Sequence, residues 1–431
     1  MRYLAIAFTT ILTSFYFFPF EFSFLPGANT KMIMAGFGLV LFFFNMARGG
    51  HGKLNRDLFI LSGLAICISI LSLATVSINN TNDYSFGTYF ISMWVWLGGA
   101  YTATQLMKAV HGHLSVDLVC KYLIAVCVAQ CIIAETMDIY KPIKTFVDSF
   151  LGGTEAFMGK AGERMYGIGA ALDVAGFRFA AVLIMSTFLC FKAKTKQETL
   201  LYILSFVIIT AIGSVIGRST TIGAIISLAL LIYLSLYRNP IVNKQTVNQI
   251  WNSLILVLLI CLPIIIYYYN TDSMIYNRLR FGFEGFFNLF EKGKWETTST
   301  DILVNHMIIL PGNITTWIIG DGYCANPNFD PYYTGPEYHG FYMGTDIGYI
   351  RFLFYFGIFG LISLVSYITK AASTCMQRFS QYKYLFMMLL VLNLVEWCKV
   401  STDLFLVFAL FLCLPAEEES TQPLQAVQNS N

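Results

Sequence analysis

Arginine is the residue type in this sequence whose chemistry and placement most favour binding of a charged group. A guanidinium group presents a planar fork of N–H donors that can hold two phosphate oxygens at once. Charged side chains near a membrane are costly unless they pair or line a wet cavity. Six arginines fall on one predicted side of the chain, which favours a diphosphate-binding site: Arg164, Arg178, Arg218, Arg278, Arg280 and Arg351.

Arg218 occupies a short turn between two apolar segments. Ser219 and Thr220 begin the helix predicted to follow, and the free N–H groups and partial positive charge at its start would add to the arginine. The turn therefore predicts a small anion site. The simpler interpretation is an arginine that anchors a helix end at the membrane interface.

Arg351 lies about one turn inside a later predicted helix, shortly after Asp346 and Tyr349. The spacing from Asp346 does not suit an ion pair along one helix, which leaves the arginine available to a ligand between helices. The alternative is an ion pair with Glu396 or Asp403 from neighbouring helices.

Two side chains are candidates for a general base. His339 lies in a loop among aromatic residues that could stack on sugar rings, and histidine exchanges a proton near neutral pH. Asp346 is the second candidate, although it is also placed to cap the helix that follows. His306 falls in an apolar stretch, which favours packing of a short amphipathic helix.

Glu396, Lys399 and Asp403 are spaced i, i+3 and i+7. On one helix this spacing places them along a single face, which favours a ladder of salt bridges. A path for protons or ions is the functional alternative.

The elements that position these residues are membrane helices. Hydrophobic residues make up 56% and charged residues 12% of 431 residues, whereas soluble domains carry about 25% charged residues. The net charge of +2 provides no basic block for nucleic acid. The cysteines fall mostly in apolar runs, without a CxxC motif or metal-site spacing, so we expect neither a metal nor a cofactor.

A membrane span needs about 20 mostly apolar residues, and about twelve such segments occur. They begin near residues 3, 32, 57, 86, 115, 170, 198, 219, 250, 347, 383 and 400. The sequence therefore predicts an all-α polytopic membrane protein, with residues 1–431 forming a single integral membrane domain. The first segment has no small-residue cleavage site, so we expect an uncleaved helix.

Lysines and arginines concentrate at the termini and in loops that share one side of an even-numbered topology, which predicts cytoplasmic termini. Two longer loops then face outward, residues 136–168 and 270–345. The second is polar and aromatic and contains or adjoins most of the candidate residues. Residues 415–431 are predicted to form a disordered cytoplasmic tail.

Three stretches of sequence resemble the Wzy-type polymerases of O-antigen and capsule repeat units. They are residues 212–220 (Ile-Gly-Ser-Val-Ile-Gly-Arg-Ser-Thr), residues 318–323 (Ile-Ile-Gly-Asp-Gly-Tyr) and residues 345–361, which begin Thr-Asp-Ile-Gly-Tyr-Ile-Arg and follow His339. The layout of about twelve helices with a large late outer loop extends the resemblance over almost the whole chain. The related O-antigen ligases share this layout, and the Asp-x-Gly-Tyr-x-Arg run favours a polymerase.

The resemblance implies a GT-C-like membrane glycosyltransferase that needs no metal. It would polymerise undecaprenyl-diphosphate-linked oligosaccharide repeat units at the periplasmic face of the bacterial inner membrane. Donor and acceptor would both be lipid-linked glycans, and a Wzz-type chain-length regulator would be a protein partner. His339 and Asp346 are then the catalytic candidates. The residues expected to bind diphosphate or glycan are Arg164, Arg218, Arg278, Arg280, Tyr349 and Arg351.

Two other functions stay open at this point. An O-antigen ligase would transfer the finished glycan to lipid A-core, and no residue here identifies the acceptor. A transporter would line a path with intramembrane charges such as Glu396 and Lys399. Transporters usually contain inverted repeats and broken helices at the membrane midplane, and the sequence suggests neither.

Overall fold

The computed structural model describes residues 1–48, 56–152, 164–236, 244–331, 333–338 and 340–416, where the chain forms helices, loops and two isolated β-bridges. His339, residues 153–163 of the first predicted loop and the tail from residue 417 lie outside this part of the chain. The α-helices are α1 (Arg2–Phe17), α2 (Thr30–Ala47), α3 (Arg56–Asn79), α4 (Tyr89–His111), α5 (Val116–Ile139), α6 (Lys141–Phe150), α7 (Leu172–Lys192), α8 (Lys196–Ile216), α9 (Ser219–Leu236), α10 (Lys244–Thr271), α11 (Ser273–Gly282), α12 (Glu284–Lys292), α13 (Thr298–Ile302), α14 (Ile314–Ile318), α15 (Gly348–Arg378), α16 (Lys383–Glu396) and α17 (Phe405–Leu412).

Eight of the described helices are long and apolar enough to cross a membrane: α2, α3, α5, α7, α8, α9, α10 and α15. The predicted all-α polytopic membrane protein is confirmed at this level. The remaining four segments predicted to span also form helices, but α1, α4, α16 and α17 are shorter or less apolar. A total of about twelve spans stays a prediction.

One compact unit consists of Met1–Met34 and Ala103–Trp295. Helix α7 is its centre, since every residue from Ala175 to Phe191 is buried, and α5, α8 and α9 pack around it. The turn between α8 and α9 approaches α7 so closely that a Cβ on Gly217 would clash with the Leu172 carbonyl. Small residues permit such close backbone contact in membrane proteins. The turn that bears Arg218 is therefore fixed against α7.

The second unit consists of Ala35–Thr102 and Glu296–Asn431. Helix α15 packs on α3 and on α16, and it is broken at Phe356 and Gly357. Gly357 has a φ of +65°, in the left-handed region that favours glycine. A break of this kind leaves helix carbonyls without their usual partners, so other donors must satisfy them.

The loop after α14 supplies those donors. The backbone N–H of Asp321 donates to the Phe354 carbonyl at 2.6 Å, and that of Gly322 donates to the Tyr355 carbonyl at 3.1 Å. Side chains at and just beyond the end of α3 hold the same loop from the other side, through hydrogen bonds from Thr75, Asn79 and Thr81 to the carbonyls of Ile319, Gly320 and Gly322, each at 3.0 Å. The loop is thereby fixed between two long helices.

Replacing Gly357 by alanine is expected to lower the free energy of unfolding by about 1–3 kcal/mol, because a non-glycine residue in this region of φ is strained. The added Cβ would also clash with the Ile318 carbonyl. Thermal unfolding of the purified protein in detergent measures the effect. Gly63→Ala in α3 is the matched control, since a Cβ there meets open space. Equal unfolding temperatures for the two variants would contradict the role assigned to the break.

Candidate functional site

Arg351, in the first turn of α15, is a buried cation in the second unit, with 8% of its surface exposed. Its guanidinium donates to the Ser401 hydroxyl at 2.5 Å and to the Cys324 carbonyl at 2.9 Å. Its Cζ atom lies 3.4 Å from the centre of the Phe341 ring. Uncharged groups therefore hold this cation.

Within the described residues, no carboxylate lies within ion-pair distance of Arg351, and its Nε–H has no hydrogen-bond partner. The alternative prediction, an ion pair between Arg351 and Glu396 or Asp403, is therefore wrong for the described residues. The Asp403 carboxylate instead accepts a hydrogen bond from Tyr89 at 2.9 Å. A buried charge without an opposite charge is costly. An anionic ligand would therefore be stabilised beside Arg351.

The other candidates near the start of α15 lie in different settings. Asp346 is exposed and precedes Ile347, which occupies the N-cap position of α15. Tyr349 packs against α16, with its ring 5.7 Å from that of Trp397 and its hydroxyl donating to the Leu394 carbonyl at 2.8 Å. The role of His339 as a base stays a prediction, since it lies outside the described residues.

Four tyrosines form a closed ring of aromatic contacts in the loop before α15. Ring centres are separated by 5.3 Å for Tyr323 and Tyr333, 6.5 Å for Tyr333 and Tyr338, 5.5 Å for Tyr338 and Tyr342, and 5.5 Å for Tyr342 and Tyr323. We call these four residues the tyrosine cluster. Its members are half-buried, so each offers part of an apolar face together with a polar hydroxyl. Two of them are the sequence neighbours of Cys324 and Phe341, which contact Arg351.

Carboxylates orient the tyrosine cluster. Tyr342 donates to Asp321 at 3.1 Å, and Tyr323 donates to Asp330 at 2.8 Å. Asp321 also accepts a hydrogen bond from Thr316 at 2.5 Å. Asp83, in the segment after α3, accepts from the backbone N–H groups of residues 324 and 325 at 2.7 Å each. These bonds fix the rings and the carbonyl that receives Arg351.

The protonation of the cluster follows from burial and nearby charge. Burial, and then the Asp321 carboxylate, raises the pKa of Tyr342 above its ordinary value. Burial and the neighbouring Tyr338 raise the pKa of Tyr333 to about 12. Burial also raises the pKa of Cys324 to about 11, against a smaller opposing effect of Arg351. At neutral pH these tyrosines are therefore neutral hydrogen-bond donors, and the thiol is a poor nucleophile.

Sequence reasoning assigned no role to Asp83 or Asp321. The available signal for Asp321 was its position between Gly320 and Gly322 in an aromatic loop, and both glycines have positive φ. For Asp83 no local signal exists, because its partners at residues 324 and 325 are more than 240 positions away in the chain.

Arg164 and Arg218 come together in the first unit. Their Cζ atoms lie 5.1 Å and 4.1 Å from the centre of the same ring, that of Phe281. Arg218 also pairs with Glu284 at 3.0 Å. Burial lowers the pKa of Arg218, Glu284 raises it, and Arg164 lowers it again. No carboxylate of the described residues forms an ion pair with Arg164, but Glu284 and Asp173 both raise the pKa of Arg218, so two carboxylates lie near these two arginines.

The turn itself contributes less to an anion site than expected. The Thr220 N–H donates to the Gly217 carbonyl and the Thr221 N–H to the Arg218 carbonyl, each at 3.0 Å. The expectation of a free Thr220 N–H is therefore wrong, because hydrogen bonds of the turn occupy it. The Ser219 hydroxyl also faces a carboxylate, Asp173, at 3.4 Å. Attraction for an anion here rests on the two arginine side chains.

The other arginines of the first unit have partners of their own. Arg278 forms ion pairs with Glu135 and Asp138, and Arg280 pairs with Glu291 at 2.8 Å. Arg178 donates a hydrogen bond to the Phe17 carbonyl at 2.6 Å. Arg351 belongs to the second unit. A single cavity shared by the predicted arginines therefore stays a prediction.

The prediction that Glu396, Lys399 and Asp403 lie along one face of a helix is wrong. Helix α16 ends at Glu396. Two hydrogen bonds hold the segment that follows: the Asn393 side chain accepts from the Leu404 N–H at 2.8 Å, and the Trp397 indole donates to the carbonyl of residue 402 at 2.6 Å. His306 lies in a π-helical turn, Leu303–Met307, directly after α13, in line with the short helix expected around it.

Among the described residues, no three His, Cys, Asp or Glu side chains are grouped as a metal ion would require. Comparison with protein-family models, with curated proteins and with solved structures finds no match to this chain.

Proposed function

We propose that this protein polymerises undecaprenyl-diphosphate-linked oligosaccharide repeat units at the periplasmic face of the bacterial inner membrane. The observation that carries the proposal is the Arg351 guanidinium, which is buried without a carboxylate partner in the described residues. It is joined through Cys324 and Phe341 to the segment that bears the tyrosine cluster. A cation beside aromatic faces suits a ligand that combines phosphate with sugar rings.

The reaction transfers a growing glycan from its lipid diphosphate to the next repeat unit. A hydroxyl of the incoming repeat attacks the anomeric carbon of the donor, and a new glycosidic C–O bond forms as the bond to the diphosphate oxygen breaks. The hydroxyl proton passes to a base, and the electron pair of the broken bond stays on the diphosphate. Arginines would stabilise the negative charge that develops on that leaving group.

The described residues have distinct parts in this proposal. The hydroxyls of Tyr342 and Tyr323 already donate to Asp321 and Asp330, so they would accept hydrogen bonds from sugar hydroxyls while the carboxylates hold the two rings. Phe341 is 40% exposed and covers the guanidinium of Arg351. A shift of the Phe341 ring would open the arginine to a phosphate oxygen. His339 is the first candidate for the base, and Asp346 is the second.

The proposal includes a topology. About twelve spans would carry a GT-C-like arrangement, with both termini in the cytoplasm and residues 136–168 and 270–345 in the periplasm. Eight apolar helices support a multi-pass membrane protein of this kind. The concentration of lysine and arginine on the opposite loops supports the orientation.

The direct biochemical test uses the purified protein in liposomes that contain a lipid-linked repeat unit. Glycans released from the lipid should form a ladder of two or more repeats, with free undecaprenyl diphosphate as the second product. Added EDTA should leave the ladder unchanged if no metal takes part. Recovery of the single repeat alone, from protein that remains folded, would contradict the proposal.

Arg218→Lys should lower the rate of polymer formation by about 10²–10³-fold if Arg218 contacts the leaving diphosphate through two donors, because lysine keeps the charge but loses the fork. The liposome assay measures the rate at equal amounts of protein. Arg48→Lys is the control, since Arg48 lies at the predicted cytoplasmic end of α2, where its guanidinium stacks on Phe44. Near-normal polymer from Arg218→Ala would remove this residue from the site.

A further inference from the structure

An apolar cavity of about 510 Å³ lies in the second unit, away from the residues discussed above. Helices α2 and α4 form most of its wall, and the first turn of α3 and the end of α17 complete it. Its lining includes Gly38, Phe42, Leu58, Trp94, Gly98 and Leu412. The volume falls in the range of about 300–1,000 Å³ that is typical of small-molecule sites.

The two main helices touch where both lack side chains. A Cβ on Gly38 would clash with the Gly98 carbonyl, so the backbones cross in direct contact, as small residues allow in membrane proteins. The α2 residues that line the cavity run from Ala35 to Phe43, which is about 12 Å of helix. That length is close to half of a hydrocarbon core of about 30 Å. The cavity therefore matches the depth of one leaflet.

One edge of the cavity adjoins a cluster of positive charge. Leu58 follows Asp57, which pairs with Lys370 at 2.8 Å and lies 4.0 Å from Arg378. Arg378 in turn donates to the carbonyl of Leu412, another lining residue, at 3.0 Å. Here two cations share one carboxylate.

Two further arginines flank this edge. Arg48 follows α2, and Arg56 begins α3. Neither forms an ion pair with a carboxylate of the described residues. An apolar slot thus lies beside an excess of positive charge, which is the combination that an anionic lipid complements.

We infer that this cavity binds one acyl chain of an anionic phospholipid, whose headgroup phosphate lies at Arg48 and Arg56. A second copy of this chain fits less well. A twofold contact through this face would bring the same basic edges together, because such an interface uses the same patch on both subunits. The inference is independent of the proposed function, since it uses none of the residues assigned to glycan transfer.

Native mass spectrometry of the full-length protein in detergent tests the inference, with phosphatidylglycerol and phosphatidylcholine as probes. The first phosphatidylglycerol is expected to bind more tightly than phosphatidylcholine. Combined Arg48→Gln and Arg56→Gln substitutions should weaken its binding by about 25-fold, or about fivefold for each cation near the headgroup. Lys292→Gln with Lys294→Gln, exposed in the first unit, should leave binding unchanged.

A matched pair of tryptophan substitutions tests the cavity itself. Leu39 lines it and is 59% exposed, so Leu39→Trp would fill the space without disturbing the core. Ile70 in α3 is also 59% exposed and does not line the cavity. Leu39→Trp should remove the first bound lipid, and Ile70→Trp should retain it.

Three results would overturn the inference. Equal affinity for the two lipids would remove the headgroup preference, and equal lipid binding by the two tryptophan variants would remove the cavity. The third is a dimer of the unmodified protein that Leu39→Trp converts to a monomer, which would make this face an interface between copies.

Discussion

Arg351→Lys is expected to lower the rate of glycan polymerisation by about 10²–10³-fold, the usual effect of losing one donor to charge that develops in the transition state. Lysine would keep the positive charge but lose the planar fork that contacts Ser401 and the Cys324 carbonyl and that, in the proposed reaction, would contact a phosphate oxygen. The measurement is the initial rate of polymer formation in liposomes, at equal amounts of folded protein.

A second variant separates this role from a structural one. Ser401→Ala removes a neutral partner of Arg351 and leaves the guanidinium in place. It should lower the unfolding temperature, because a hydrogen bond to a charged group contributes about 1.5–3 kcal/mol, while most of the activity is retained. Equal loss of activity in both variants, in proportion to lost stability, would assign Arg351 to packing alone. A near-normal rate for Arg351→Lys would also contradict its role.

His339→Ala is expected to abolish glycan extension while the protein still reaches the membrane, if His339 takes the proton of the acceptor hydroxyl. A general base contributes about 10²–10⁴-fold to a rate. Asp346→Asn should then have a milder effect. Polymer length on a gel and the amount of protein in the membrane are the two measurements.

His306→Ala is the matched control, since this exposed histidine lies in the same predicted outer loop and has no assigned role. Severe loss in Asp346→Asn with activity retained in His339→Ala would exchange the two roles, because neutral asparagine cannot act as a base. Full activity in both variants would remove both residues from the chemistry.

Hydropathy located the long apolar helices well, because a segment that spans lipid must be a long apolar run, whichever other helices it packs against. Local rules failed where tertiary contacts decide the outcome. Helix α16 ends at Glu396, where Asn393 and Trp397 form hydrogen bonds with residues 404 and 402 of the following segment. The only sequence signal for the break in α15 is Gly357. The backbone N–H groups that bond to the carbonyls freed by the break come from residues 321 and 322.

The sequence indicated which residue types form the candidate site, but it did not indicate which side chains contact each other there. Arginine chemistry and a loop rich in aromatic residues pointed to Arg351 and its surroundings. The ion pairs of Arg278 with Glu135 and Asp138 join distant parts of the chain, and spacing rules cannot find such pairs. The closed ring of tyrosines depends on loop geometry that Asp321 and Asp330 fix through side-chain hydrogen bonds. Such contacts follow from the fold and not from local pattern.

Deleting the gene and separating the cell's lipopolysaccharide on a gel tests the proposed polymerase most directly. Lipid A-core that carries a single repeat unit is the expected result, because ligation would continue while extension stops. A plasmid copy should restore the ladder of longer chains. Bare core, together with long polymer still attached to the carrier lipid, would contradict polymerisation and identify the protein as the ligase instead.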